Sequence, residues 1–290
     1  MDLSVVIVSY NVSGYLKACL ESVIQATEFI DAEIFVVDNN SSDDSCSMVS
    51  SEFPGVTLIR NNTNTGYAAA NNQALKLCRG RYVLLLNPDT IVMANTFTKC
   101  IGFMDSHIDA GALGVKMTDG DGIYLPESKR SLPSVSSAFF KSFGLSFLFP
   151  ESKLFNKYYL LTVGNDETAE TEVIAGAFML IRKNVLDITG LLDEDFFMYG
   201  EDIDMSYRII QAGFRNYYFP ETNITHYKGR STPRDNYKDI LDFYKAMRIY
   251  VRKRRTEGLF RFSHFILDTG IFFRETLALF NRFLTLKFRR

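Results

Sequence analysis

The sequence predicts an α/β fold with a mostly parallel sheet flanked by helices. Three observations carry this. Short apolar runs rich in β-branched residues read as buried strands. They alternate with stretches of helical period, the pattern of a parallel sheet covered on both faces. Each run also ends in a polar cluster: Ser9-Tyr10-Asn11, Asp38-Asn39-Asn40, Asn61-Asn62 and Asn87-Pro88-Asp89. Sheets of this kind bind ligands outside the carboxyl ends of their strands.

"LSVVIVSYN" (3 to 11) opens the order as a buried strand. "VSGYLKACLESVIQAT" follows, with Leu16, Cys19, Leu20, Val23 and Ile24 on one helical face. "EIFVVDNNSSDD" (33 to 44) is a second strand, stopped by Asp38. A short helix and the strand "VTLIRN" (56 to 61) come next. "GYAAANNQALKLCRG" reads as a helix ended by Gly80, with Tyr67 and its alanines as packing residues. "RYVLLLN" is the fourth strand. Pro88 then ends the ladder, since it has no N–H to give.

The second half is less regular. Residues 131 to 160 are apolar and aromatic, broken by Gly144 and Pro150, and read as an excursion from the sheet. "TEVIAGAFMLIRKNVL" (171 to 186) returns to a strand and a helix start. In "LLDEDFFMYGEDIDMSYRIIQAGF" (191 to 214) an acidic loop opens a helix carrying Met205, Ile209 and Ile210. "RNYYFPETNITHYKGRST" (215 to 232) reads as strand, turn, strand.

Composition narrows the classes. The 290 residues are 47% hydrophobic and 23% charged, which suits a large core plus an appendage. No signal peptide or spanning run is evident. Four dispersed cysteines read as reduced thiols of a cytoplasmic protein. The turn after strand one, "SYNVSG", lacks G-x-G-x-x-G, which disfavours NAD, and no P-loop exists.

Asp89, the Glu201-Asp202 pair and His226 are the candidate chemistry. Carboxylate plus imidazole suits a divalent cation, Mn2+ or Mg2+, which acts as a Lewis acid on a leaving diphosphate. A separate carboxylate can take a proton from an attacking hydroxyl. Each residue also has a plain structural role. Asp202 and Asp204 suit a helix N-terminus, Asp38 suits a cap, and His226 suits a hydrogen-bonded core position.

Together the motifs resemble glycosyltransferase family 2, inverting enzymes of the GT-A fold, and within it bacterial rhamnosyltransferase-like members. The carrying stretches are "VVIVSYN", "VVDNNSSD", "NTGYAAANNQAL", "LLLNPDT", "GAFMLIRK", "FFMYGEDIDMSYRIIQAG" and "HYKGRST", in that order. The resemblance implies a GT-A domain over 1–235, with a nucleotide-binding half (1–100) and an acceptor half (101–235). It implies that Ser9, Tyr10 and Asp38 hold base and ribose, and that Asn64 and Gly66 lie near the sugar–nucleotide. Asp89 and His226 would hold the metal, and Asn87 would face the donor. Asp202 would be the base, with Gly176, Ala177 and Glu201 at the acceptor. Asn87 stands where the family carries the first aspartate of Asp-x-Asp, and a neutral amide is a weaker ligand than a carboxylate. The implied reaction moves a sugar from a nucleotide-diphosphate donor to a glycan or lipid-linked hydroxyl in surface polysaccharide synthesis. A non-catalytic nucleotide-sugar-binding relative and a nucleotidyltransferase are the alternatives.

Residues 236–290 read as a basic helical extension. From residue 241 on there are 12 Lys+Arg against 4 Asp+Glu, and the preceding residues hold 20 against 30. Phe273, Leu277, Phe280, Leu284 and Phe288 form an apolar stripe suited to an anionic membrane surface. The stripe equally suits the body or a second subunit in a homodimer. The expected place is therefore the cytoplasm, peripheral at the inner face of the cell membrane, with no nucleic acid bound.

Overall fold

The computed structural model describes residues 1–133, 158–160, 163–228, 237–254 and 260–288. Among the described residues, nine strands form one sheet: β1 (Leu3–Ser9), β2 (Ala32–Asp38), β3 (Thr57–Arg60), β4 (Tyr82–Leu86), β5 (Thr90–Val92), β6 (Ala110–Thr118), β7 (Ala169–Thr171), β8 (Phe178–Arg182) and β9 (Arg215–His226). Their order is β3-β2-β1-β4-β8-β6-β9-β5, with β7 paired to β9. The half built from β1 to β4 is parallel. β8 joins it antiparallel on β4, and β6 and β9 run parallel to each other beyond.

The helices described are α1 (Ser13–Ala26), α2 (Ser45–Glu52), α3 (Tyr67–Leu75), α4 (Thr96–Ser106), α5 (Lys183–Thr189), α6 (Glu201–Gln211), α7 (Tyr237–Lys253) and α8 (Phe260–Phe288). Alternate residues of each central strand feed two separate cores. Val5, Ile7, Leu84 and Leu86 pack with Leu16, Leu20 and Val23 of α1 and with Phe97 and Met104 of α4. Val6, Val8, Val83 and Leu85 pack with Ala68 and Ala74 of α3 and with Met205 and Ile209 of α6. Both faces are covered, so the strands read as unbroken apolar runs rather than alternating ones.

Two expectations are corrected. Ile24 does not join the buried face of α1 but is 43% exposed, because the helix contacts the sheet along a narrower stripe. Residues 215–226 form one strand, not two. The turn signal at Pro220 is absorbed by a register shift against β6 between Val115 and Lys116, where the partner moves from Phe219 to Asn223.

α7 does not stand apart from the body. Ala246 and Ile249 pack on Phe196, and Tyr250 Oη donates to the Pro133 carbonyl at 3.3 Å. The aromatic segment 138–149 and residues 229–232 of "HYKGRST" lie outside the described residues.

Candidate functional site

The carboxyl ends of β1, β2 and β4 bring the first polar clusters together. Ser9 and Asp38 are register partners, and Ile7 pairs with Leu86, directly before Asn87. At about 4.8 Å per strand, Asp38 and Asn87 are about 10 Å apart along the rim. Ser9 and Asp38 are buried, and Tyr10 is 43% exposed beside them. Asp38 Oδ2 accepts the Ser41 N–H at 2.9 Å. Asp38 Oδ1 and Ser9 Oγ find no partner among the described residues. Buried polar atoms left so are costly unless a ligand completes them.

Asn39 ties this rim to the next loop. Its side-chain amide donates to Asn64 Oδ1 (2.9 Å) and to the Gly66 carbonyl (3.2 Å). Its carbonyl oxygen accepts from Asn61, from the Thr65 N–H and from the Thr65 hydroxyl. Asn64 therefore reaches the rim through Asn39. Gly66 has φ +87°, and an added Cβ would lie 2.6 Å from the Phe197 carbonyl oxygen. Glycine is required there by the close approach of the loop before α6.

The Asn87-Pro88-Asp89 turn is fixed through its backbone. The Asn87 N–H donates to the Ala177 carbonyl at 3.1 Å, and the Thr90 hydroxyl donates to the Asn87 carbonyl at 2.7 Å. β5 then pairs Thr90 with His226, which puts the His226 ring beside Asp89. His226 Nε2 and Asp89 Oδ1 are 3.3 Å apart, both buried. His226 Nδ1 has no partner among the described residues. The described residues hold no cluster of three or more His, Cys, Asp or Glu side chains suited to a metal. The pair offers a divalent cation two ligands of suitable chemistry, one carboxylate and one imidazole, and any further oxygens would come from a bound diphosphate.

α6 supplies the second carboxylates. It starts after Tyr199 (φ +68°) and Gly200 (φ +86°), two successive left-handed residues that turn the chain into the helix. Tyrosine in this region costs on the order of 1 kcal/mol, so the surrounding packing must hold it. Asp202 Oδ2 accepts from Arg130 Nη2 at 2.6 Å and from the Gly176 N–H at 3.3 Å. Glu201 is buried, and its Oε2 has no partner among the described residues. Burial first, and the adjacent Asp202 charge second, push the Glu201 carboxyl up to about 8.

Tyr67 closes the gap between these groups. Its hydroxyl donates to the Gly176 carbonyl at 3.0 Å. Burial raises its pKa well above the usual phenol value, and the charges of Glu201, Asp202 and Asp89 add to this. The Gly176 backbone thus joins Tyr67, through its carbonyl, to Asp202, through its N–H. Ser9, Asp38, Asn87, Asp89, Gly176, Ala177, Glu201, Asp202 and His226 share this region, with Tyr10 and Asn64 at its rim. Two members escape sequence reasoning. Tyr67 looks like helix packing, although "NTGYAAANN" places it at the N-terminus of α3. Arg130 carries no local signal, because Asp202 lies 72 residues away in sequence.

The model of the family described as glycosyl transferase family 2 matches residues 4–189. The chain is 27% identical over 267 residues to the N-acetylglucosaminyl-diphospho-decaprenol L-rhamnosyltransferase of Mycobacterium tuberculosis, covering 88% of this chain and 85% of that protein. It is 27% identical over 230 residues to the Escherichia coli rhamnosyltransferase WbbL, covering 77% and 82%. Among solved structures, the Pyrobaculum calidifontis mannosyltransferase with GDP-mannose and Mn2+ superposes with a TM-score of 0.62 at 16% identity, over 96% of this chain and 74% of that one. Staphylococcus aureus TarS (residues 1–349) with UDP-GlcNAc gives 0.58 at 19% identity, over 94% and 72%. The architecture is the GT-A fold of these enzymes.

Proposed function

The chain belongs to glycosyl transferase family 2, and from that premise we propose how its residues divide the work of sugar transfer. The protein is a glycosyltransferase that takes a nucleotide-diphosphate sugar as donor and acts in polysaccharide synthesis. The acceptor is a hydroxyl of a glycan carried on a lipid diphosphate, a reading supported by the rhamnosyltransferase relatives.

Ser9, Tyr10 and Asp38 hold the base and ribose. Asn39, with Asn64 and Gly66, shapes the floor under the donor. Asp89 and His226 hold a divalent cation, Mn2+ or Mg2+, which supplies charge neutralisation for the diphosphate when bound. Asn87 faces the donor sugar or the ribose.

The acceptor hydroxyl attacks the anomeric carbon on the side opposite the diphosphate, and configuration inverts. Asp202 accepts the hydroxyl proton at one carboxylate oxygen while Arg130 and the Gly176 N–H hold that carboxylate in place. Glu201, neutral below about pH 8, adds no second charge next to the base and can donate a hydrogen bond to the acceptor. Gly176 and Ala177 leave room for the acceptor. The basic extension keeps the enzyme at an anionic membrane surface, where its acceptor resides. No helix among the described residues is long and apolar enough to cross a membrane.

The observation that carries this reading is that one short backbone stretch ties both clusters: the Gly176 N–H donates to Asp202 and the Ala177 carbonyl accepts the Asn87 N–H, while Tyr67 donates to the Gly176 carbonyl. Asp202→Asn tests it. The variant binds nucleotide diphosphate as the parent does and loses roughly 10²- to 10⁴-fold in transfer. Near-parental turnover would remove Asp202 from the role of base.

A further inference from the structure

The first N–H groups of a helix have no partner within it. In α3 the N–H of Tyr67, its first residue, donates to the Phe197 carbonyl at 2.7 Å. That bond leaves the helix and fixes the loop that enters α6, the helix of Asp202. Phe197 also packs so closely on Gly66 that a Cβ there would lie 2.7 Å from its ring. On its far side the loop is held by α7, where Ala246 and Ile249 pack on Phe196 and Lys253 pairs with Asp193 and Asp195.

The other end of Tyr67 reaches across the site. Its hydroxyl donates to the Gly176 carbonyl at 3.0 Å, and the Gly176 N–H donates to Asp202 Oδ2 at 3.3 Å. Glycine has no side chain to restrain its backbone. The stretch around Gly176 therefore depends on outside partners. One is Asn87, whose N–H holds the Ala177 carbonyl at 3.1 Å. The other is the Tyr67 hydroxyl. The phenol acts by hydrogen bonding rather than proton transfer, because burial first, and the Glu201 charge second, raise its pKa above the ordinary phenol value.

Tyr67 is itself anchored from the nucleotide side. Asn39 donates to the Gly66 carbonyl at 3.2 Å, and the buried Asn71 side chain donates to the Tyr67 carbonyl at 2.9 Å. One residue thus joins the donor loop to both segments that set Asp202. We propose that Tyr67 is a positioning residue for the transfer step: its N–H and hydroxyl hold the Phe197 and Gly176 carbonyls so that the Asp202 carboxylate stays aimed at the acceptor hydroxyl. The assignment rests on the reading of Asp202 as base, and Tyr67 acts only through it.

Tyr67→Phe in the full-length chain keeps the ring against the core beneath α3 and removes the hydroxyl alone. Backbone amides 175–177 and 198–204 should exchange severalfold faster, with those of β4 unchanged. The Kd of UDP or GDP, measured by calorimetry with Mn2+, should stay within about twofold of the parent's. Turnover of whichever uridine-, guanosine- or thymidine-diphosphate sugar the parent consumes should lose roughly 10- to 100-fold in kcat, with the donor KM nearly unchanged. Replacing Tyr67 by para-aminophenylalanine, which keeps a donor at the end of the ring, should restore most of that loss. Tyr67→Phe added to Asp202→Asn should cost little more than Asp202→Asn alone. Parental kcat in Tyr67→Phe beside a crippled Asp202→Asn overturns the positioning role and leaves the base in place. Weakened UDP and GDP binding would make Tyr67 a part of the donor rim, and losses that multiply in the double variant would make it act apart from Asp202; either result also overturns the proposal. Near-parental turnover in Asp202→Asn sinks the base reading itself, and this proposal with it.

Discussion

The Arg130 guanidinium and the Asp202 carboxylate lie 2.6 Å apart, each side chain about 15% exposed or less. Burial opposes the charge on Arg130, and the facing carboxylate outweighs it, so the arginine pKa is raised. Removing one member of such a pair leaves the other charge without compensation. Arg130→Met should therefore cost on the order of 2 kcal/mol in urea unfolding. Arg130→Met/Asp202→Leu should recover part of this, and simple additivity of the single variants in the double-mutant cycle would disprove the coupling. Transfer should fall in Arg130→Met while nucleotide affinity holds, because Arg130 bonds Asp202, the proposed base, and not Ser9 or Asp38.

Glu201 yields a pH signature. Its folded-state pKa is about 8, raised from the ordinary carboxyl range by burial and then by Asp202. A raised carboxyl pKa means the folded chain holds a proton that the unfolded chain releases. The associated stability is complete below about pH 4.3 and is lost as pH climbs to about 8. Glu201→Gln keeps the shape without the titration. Its melting temperature should exceed the parent's by on the order of 10 °C at pH 8, with the gap closing toward pH 4.5. A constant gap across that window would mean that Glu201 is ionised in the folded protein.

Much of the site is legible in sequence because a parallel sheet sends every strand end to one rim. Ser9, Asp38 and Asn87 need only the strand assignments to be placed together. His226 needs more, since its approach to Asp89 depends on the antiparallel pairing of β5 with β9, which no local pattern announces. Arg130 follows Lys129 between Ser128 and Ser131, in "SKRS", and looks like ordinary surface charge. Its role comes from a bridge to Val173, backed by the Thr171 hydroxyl. The extension is legible as helical and basic. Its grip on residues 193–200 is not, because contacts between distant helices leave no periodic trace.

Asn39 shows how a polar strand end acts structurally and functionally at once. Its buried amide serves five hydrogen bonds to the loop that carries Asn64 and Gly66. Asn39→Ala leaves those groups without their partner and should destabilise the protein by about 2 kcal/mol. Donor affinity should fall as well, because the loop loses its tie to β2. Asn39→Asp keeps the acceptor but loses both donors, so it should fall between the two. Urea melts and nucleotide titration by calorimetry measure both effects.

The metal reading is tested by ligand removal rather than by turnover alone. Asp89 and His226 give one carboxylate and one imidazole, and Asn87 adds no charge. With so few protein ligands, cation and diphosphate should bind cooperatively, each supplying what the other lacks. Manganese alone should barely move the melting temperature. UDP or GDP alone should move it modestly, and the two together should move it by more than the sum. Asp89→Ala should erase the excess and leave the nucleotide-only shift, if, as proposed, Ser9 and Asp38 hold the base and ribose on a separate part of the rim. His226→Ala should reduce the excess without erasing it, because imidazole contributes no charge against the cation. Equal shifts with and without manganese in the parent protein would show that donor binding proceeds without the cation, and would return Asp89 and His226 to a structural pairing across β5 and β9.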